Sequence, residues 1–227
     1  MAIELVVFDL DGTLVTAEID FQAMRQAIRD LLIEHEFPTH VLPMNSTQDL
    51  LRSAFAYAGE KGFTPIEISK LRDEVYLEAV KFEWEGAKKA QLVSGAKEIL
   101  KALQQYQVNI AILTNDNKAV AKYLLEKFGL MEYVDLLITR EEAPHMKPAT
   151  AGLELILNHF DIPAEQTIFI GDSTIDIMTA NKLGIRCIAR RSKLRTEKEL
   201  RAEGAIAIFS TLTPIISYLR EQKLMDD

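Results

Sequence analysis

The sequence predicts an α/β fold, a doubly wound parallel sheet interrupted by an all-helical insertion. Short apolar runs of strand length recur along the chain with helical patterns between them. Several runs are nearly continuous in Val, Ile, Leu and Phe, the pattern of strands buried on both faces. Residues 16 to about 90 break the rhythm, carrying helical stripes and no strand-like run. Strand and helix in alternation imply a parallel sheet with helices on both faces.

The first apolar run, 3–10, leads into Asp9-Leu10-Asp11-Gly12-Thr13. In the insertion, Phe21, Met24, Ile28, Leu31 and Leu32 space as one helical face, and Leu50, Leu51, Ala54, Phe55 and Ala58 as a second. Ile68, Leu71, Val75, Ala79 and Phe82 make a third, and the stretch 86–93 reads as the returning linker. Further strands are expected at 108–113, 134–139, 167–171, 186–189 and 205–209. Helices are expected at 94–106, 117–128, 148–160 and 174–183. Asn115, Asp116 or Asn117 can cap one helix, Gly129 and Gly184 can end two, and Pro148 suits a first turn. Residues 1–15 and 91–227 would form the α/β core domain, and 16–90 a helical domain.

Bulk properties narrow the function classes. The chain has 227 residues, 48% of them hydrophobic, which suits a sizeable core. A net charge of -8 argues against general affinity for nucleic acid or anionic membrane surfaces. No apolar stretch approaches membrane-spanning length, and the first residues run into a strand pattern rather than a leader. The single cysteine, Cys187, excludes an internal disulfide framework, fits a reducing cytoplasmic setting and reads as a buried structural thiol. The sequence leaves the oligomeric state open.

Chemistry-bearing residues fall at strand ends, where open α/β sheets bind ligands. Asp9 and Asp11 would share a strand face if the extended conformation persists through Leu10, and two close carboxylates then shift each other's ionisation. The second core strand ends in Thr114-Asn115 and opens a helix whose N-terminus can receive an anion. Lys147 follows the third strand, and the fourth ends in Gly171-Asp172-Ser173-Thr174-Ile175-Asp176. Asp9 and Asp172 can bind Mg²⁺, a hard ion that takes a few carboxylates plus water and phosphate oxygen. Thr114 can hydrogen-bond phosphoryl oxygens, and Lys147 offers a point charge to the developing transition state. The Arg190–Arg195 cluster reads as a solvated face or loop, and His35, His40, His145 and His159 show no partner pattern.

The ordered set Asp9-Leu10-Asp11-Gly12-Thr13, Thr114-Asn115, Lys147-Pro148 and Gly171-Asp172 with Asp176 resembles the haloacid dehalogenase-like superfamily, phosphatase branch. The resemblance implies a Rossmann-like core with a helical cap inserted after the first motif. It implies Asp9 as a nucleophile forming an aspartyl-phosphate and Asp11 as general acid and base. Thr114 and Asn115 would bind phosphate, with Lys147 steadying nucleophile and phosphate. Asp172 would join Asp9 and the Asp11 backbone carbonyl around Mg²⁺, with Asp176 positioning the metal's waters or its neighbours. The departures lie at the cap hinges: Val15-Thr16-Ala17-Glu18 where an acidic or hydroxyl pair is frequent, and Val93-Ser94-Gly95 where Pro-Gly is frequent. The expected activity is hydrolysis of a small phosphorylated metabolite, of phosphoglycolate-phosphatase type. The alternatives are a phosphomutase acting on a sugar phosphate and a non-enzymatic, receiver-like phosphorelay or binding protein.

Overall fold

The computed structural model describes residues 2–192, 195–222 and 224. In chain order the elements begin with β1 (Leu5–Phe8), β2 (Val15–Thr16), α1 (Phe21–Glu34), α2 (Thr47–Glu60), α3 (Pro65–Lys89), β3 (Gln91–Leu92) and α4 (Ala96–Gln105). They continue with β4 (Asn109–Leu113), α5 (Lys118–Lys127), β5 (Leu136–Ile138), α6 (Ala151–Phe160), β6 (Thr167–Gly171) and α7 (Thr174–Asn181). The last are β7 (Arg186–Arg190), α8 (Glu197–Glu203), β8 (Ala207–Phe209) and α9 (Pro214–Glu221). The chain divides into two compact units, Met1–Ala17 with Ala90–Asp227, and Glu18–Lys89.

The first unit is built on a six-stranded sheet in the order β5-β4-β1-β6-β7-β8, with every neighbouring pair parallel. Its strands fall in the six apolar runs. Leu5, Val6, Val7 and Phe8 are all fully buried, because helices cover both faces and each strand must be apolar on both. On one face Leu5, Val7, Ala111, Leu113 and Phe169 pack with Leu153 and Ile156 of α6 and Ile177 and Ala180 of α7. The alternate residues Val6, Phe8, Ile110 and Ile112 are buried as well, on the other side of the pleat. Removing Phe8 and Phe169 from water contributes about 1.5–3 kcal/mol each. Cys187 lies within this core, and burial pushes its thiol well above the usual range, so it is an inert packing group. No helix among the described residues is long and apolar enough to cross a membrane.

Local signals explain most boundaries. Asn117 caps α5, its side chain accepting from Ala119 N–H at 2.9 Å and Val120 N–H at 3.3 Å, and Gly129 follows the helix at φ +61°. Pro148 does not open α6, which starts at Ala151. The segment before it is held in a turn closed by Ala149 N–H to Met146 O at 3.0 Å, so the proline serves that turn. The structure adds α8, α9 and the short antiparallel β2–β3 ribbon to the expected elements. The signal for α8 was present: Thr196 and Glu199 form a reciprocal capping box at its start. Two-residue strands carry too little periodicity to be read.

The second unit holds α1, α2 and α3. The expected stripes supply its interior: Met24, Ile28 and Leu32 from α1, Leu50, Leu51, Ala54 and Ala58 from α2, and Leu71, Val75 and Ala79 from α3 are buried. Caps mark the starts, with Asp20 accepting from Ala23 N–H at 2.9 Å and Ser46 from Asp49 N–H at 3.0 Å. The returning linker expected at 86–93 is a correction, because α3 runs on through Gly86 to Lys89. Gly86 is a packing residue there. A Cβ at this position would stand 2.7 Å from Ile19 Cγ1 and 3.0 Å from Ile19 N.

Two glycines inside helices should therefore respond in opposite directions to added side chains. Gly86→Val should destabilise the protein by about 1–3 kcal/mol in chemical denaturation, the usual penalty of overpacking. At Gly59 nothing lies within 4 Å of a new Cβ, so Gly59→Ala should stabilise by up to about 1 kcal/mol. Equal effects at the two sites would contradict the packing role of Gly86.

Candidate active site

The strand ends of β1, β4 and β6 and the loop after β5 bring their polar residues to one place. Asp9 N–H donates to Ile170 O at 2.9 Å, extending the β1–β6 ladder by one residue. The chain then turns instead of staying extended. Leu10 O accepts from Thr13, Leu14 and Val15 N–H at 3.2, 2.9 and 3.1 Å, and Gly12 takes φ +85°. The expected shared strand face of Asp9 and Asp11 is thus replaced by a tight turn that gives the two carboxylates different surroundings.

Asp9 is buried, with 6% of its surface exposed, and is held at both oxygens. Thr13 Oγ1 donates to Oδ2 at 3.1 Å, and Lys147 Nζ donates to Oδ1 at 2.7 Å. The same ammonium donates to Asp176 Oδ1 at 2.6 Å, and the Lys147 side chain is only 4% exposed. Asp176 Oδ2 meanwhile accepts from Ser173 Oγ at 2.6 Å, Ser173 N–H at 3.1 Å and Asp172 N–H at 3.3 Å. It joins the capping box of α7 to the lysine. Gly171 is needed beneath it, since a Cβ there would overlap the Asp176 side chain.

Lys147 is fixed from its backbone as well. Asn115 Oδ1 accepts from Lys147 N–H at 2.9 Å, and Asn115 Nδ2 donates to Lys147 O at 3.1 Å. The Asn115 side chain therefore braces the lysine loop. Thr114 Oγ1 donates to Asp116 Oδ2 at 2.7 Å and accepts from Asp116 N–H at 3.1 Å, closing a small polar turn after β4. The start of α5 is not open to an anion as expected. Asn117 caps it, and Glu141 Oε2 accepts from Lys118 N–H at 3.0 Å, so a carboxylate of the chain already stands there.

Asp172 is 4% exposed, and its Oδ2 is buried with no hydrogen-bond partner. It lies against the first turn, because a Cβ on Gly12 would overlap its carboxylate. Arg190 corrects the reading of its cluster as a solvated face. It ends β7, is half-buried, and donates from Nη1 to Gly12 O at 2.6 Å. Lys193 and Leu194 of that cluster lie outside the described residues. Asp116, Ser173, Thr13 and Arg190 are contributors that the sequence reading did not assign. Their immediate neighbourhood to Asp9, Thr114, Asp172 and Asp176 in sequence, or their strand-end position for Arg190, is the signal that was available.

Electrostatics follows from burial and crowding. Burial raises the Asp9 carboxyl well above the ordinary range, with Asp176 and Asp172 adding to the shift and Lys147 opposing it. Burial and then the Asp116 charge carry Asp11 up to about 8, against the hydrogen bond its Oδ1 accepts from Ala17 N–H at 2.6 Å. Burial and Asp176 lift Asp172 to about 6. Lys147 loses hydration on burial, yet Asp176 and Asp9 more than offset this and raise its pKa. Asp9, Asp172 and Asp176 each offer a carboxylate oxygen, all within 4.8 Å of one another. This all-oxygen set with one orphaned buried oxygen fits a hard divalent cation. Asp172, with its unpartnered Oδ2, is the residue best suited to hold it, and Asp9 stands beside it with one ammonium and one hydroxyl contact where Asp176 accepts four hydrogen bonds.

The molecule is thus an α/β protein with a buried acid cluster at the carboxyl ends of its parallel strands. A family model for haloacid dehalogenase-like hydrolase matches residues 6–190, and the chain belongs to that family. It is 29% identical to the phosphoglycolate phosphatase of Pseudomonas fluorescens over 93% of this chain and 78% of that protein. It is 35% identical to the ribulose-1,5-bisphosphate 5-phosphatase of Halopiger xanaduensis over 56% of this chain and 57% of the relative. A haloacid dehalogenase-like family hydrolase from Streptococcus pneumoniae superposes with a TM-score of 0.66 at 21% identity, covering 96% of this chain and 98% of that one. These likenesses agree with the α/β fold read from the sequence.

The acid cluster makes stability pH-dependent in a stated direction. Asp172 and Asp11 have folded pKa values raised to about 6 and about 8, so their contributions are fully present below their unfolded values and lost as pH rises through 6 and through 8. Metal-free protein should therefore melt at a higher temperature at pH 5.5 than at pH 8, and a divalent cation should recover the loss at pH 8. Asp172→Asn should abolish the cation-induced rise in Tm and remove only its own share of the pH dependence, the part carried by Asp9 and Asp11 remaining. A cation effect undiminished in that variant would place the ion elsewhere.

Proposed function

We propose that the chain is a Mg²⁺-dependent phosphatase that hydrolyses a small phosphomonoester through an aspartyl-phosphate on Asp9. The observation that carries this reading is the Lys147 ammonium bound to Asp9 at 2.7 Å and to Asp176 at 2.6 Å, beside the orphaned Oδ2 of Asp172. A nucleophilic carboxylate held by a buried ammonium next to an oxygen-rich cation site is the arrangement phosphoryl transfer requires. The phosphatase names of the relatives support it.

In the first step a carboxylate oxygen of Asp9 attacks phosphorus, the bond to the leaving oxygen breaks, and Asp11 gives that oxygen its proton. In the second, water attacks the phosphorus, Asp11 takes the water's proton, and the Asp9 carboxylate departs from inorganic phosphate. Thr13 and Lys147 keep Asp9 oriented for attack. A carboxyl near 8 holds its proton at neutral pH, the state the first step needs from Asp11. Mg²⁺ held by Asp9 and Asp172 would reduce the repulsion between Asp9 and the phosphoryl oxygens. The Thr114 hydroxyl and the backbone beside it are assigned to the phosphoryl group, and the side chain of Asn115 to bracing Lys147 rather than to substrate.

The helical unit Glu18–Lys89 is assigned to substrate selection, as its connections to the core adjoin the β2–β3 ribbon just after the Asp11–Thr13 turn. The substrate class is a small phosphorylated metabolite of the phosphoglycolate type, by the likeness to phosphoglycolate phosphatases. A cytoplasmic setting suits the single buried thiol.

Asp9→Asn, nearly isosteric, should keep the fold and retain less than about 1% of kcat, because an amide is a poor nucleophile. EDTA should abolish turnover of p-nitrophenyl phosphate, Mg²⁺ restore it, and Ca²⁺ bind while supporting little turnover. Clear phosphate release in EDTA would refute the metal-assisted reading. Release of phosphate into solution also separates hydrolysis from mutase transfer to a sugar phosphate.

Asp11→Asn should slow an alkyl phosphate by about 10²–10⁴-fold, the range typical of general acid catalysis. The loss should be far smaller for p-nitrophenyl phosphate, whose leaving group needs no proton. Equal losses on both substrates would make Asp11 a structural residue.

A further inference from the structure

We propose that Arg190 is a positioning residue that fastens the Asp11–Thr13 turn across the sheet and so sets the placement of Asp11. The inference rests on the phosphatase reading for its kinetic consequence and on geometry alone for its structural one. Apart from Val93 N–H donating to Leu14 O at 3.0 Å and the β2–β3 pairing that follows, the turn is closed on itself. Gly12 N–H donates to Val15 O at 2.7 Å, Thr13, Leu14 and Val15 N–H converge on Leu10 O, and Asp11 Oδ1 accepts from Ala17 N–H. These bonds shape the turn without tying it to the strands beyond β6.

Arg190 supplies that tie. β7 pairs with β6 in a register that sets Ala189 opposite Gly171, so the chain reaches Arg190 on one strand as it reaches Asp172 on the other. From there Nη1 donates to Gly12 O at 2.6 Å, a charge-assisted bond to a carbonyl 178 residues away in sequence. The bond draws the Gly12 backbone onto the Asp172 carboxylate, where a glycine is required because a Cβ would overlap that group. Gly12 directly follows Asp11. Its orientation therefore governs where the Asp11 side chain points and how the turn borders the orphaned Asp172 oxygen.

A guanidinium at this place has a second effect, since its charge faces both Asp172 and Asp11. The two roles separate by experiment. If Arg190 acts through position, its removal loosens the turn and impairs proton delivery to the leaving group. If it acts only through charge, the turn stays as it is and exchange in the segment 10–17 does not change.

The test uses the full chain with Arg190→Met and Arg190→Lys. In metal-free protein, hydrogen–deuterium exchange of the segment 10–17 should quicken by at least about tenfold in Arg190→Met and recover in part in Arg190→Lys, which keeps a charged donor. In kinetics, kcat for glycerol 2-phosphate should fall at least about tenfold in Arg190→Met, with KM within threefold and p-nitrophenyl phosphate within threefold. Unchanged exchange at 10–17, or equal losses on the two substrates, overturns the proposal. If Arg190→Met does not fold, the same measurements on Arg190→Lys and Arg190→Gln decide it, with the glutamine keeping a neutral donor. If the wild type hydrolyses neither substrate, the phosphatase reading fails and the exchange result alone decides the role of Arg190.

Discussion

The buried ammonium of Lys147 is the interaction on which the rest of the site depends. Asp9, Asp172 and Asp176 crowd their carboxylates into a space where burial alone pushes two of them upward in pKa. A positive charge bound at 2.7 and 2.6 Å to two of the three is what lets such a cluster exist inside a folded core. Removing one partner of a buried ion pair costs about 3–5 kcal/mol, because the remaining charge is left uncompensated. The protein accordingly holds the lysine from several directions. Asn115 grips its backbone on both sides, and the capping box of α7 fixes Asp176.

That arrangement explains the strand order. β1 sits between β4 and β6, so the carboxylate at its end lies between the Thr114-Asn115 turn and the Asp172–Asp176 turn. The loop after β5 passes beside β4, which lets Asn115 reach Lys147. β7 lies on the other side of β6, which puts Arg190 opposite the lysine loop. The functional groups arrive from the ends of several strands, and the parallel sheet aligns all of those ends in one direction. The burial that stabilises the sheet thus also shapes the electrostatics of the acids at its edge.

Much of this was legible in the chain. Strands covered on both faces must be apolar throughout, so the six runs stood out without regard to their neighbours in space. Asp9, Lys147, Asp172 and Asp176 were legible because polar residues repeatedly closing apolar strands are hard to explain by packing. What was not legible depends on three-dimensional closure. The turn at Leu10 arises from three amides sharing one carbonyl, which no side-chain pattern announces. Gly86 read as a linker because its reason for being glycine, the backbone of Ile19, lies far away in sequence. Arg190 read as solvated because four neighbouring polar or charged residues masked the one whose partner, Gly12 O, comes from the other end of the chain.

The most direct measurement is chemical capture of the covalent species. Protein quenched with acid during turnover of a phosphomonoester and reduced with borohydride converts an aspartyl-phosphate to homoserine, which peptide mass spectrometry locates. Homoserine at position 9, absent without substrate, is the expected result. Full turnover with Asp9 unmodified under the same quench, or modification at another aspartate, would contradict a reaction that passes through Asp9.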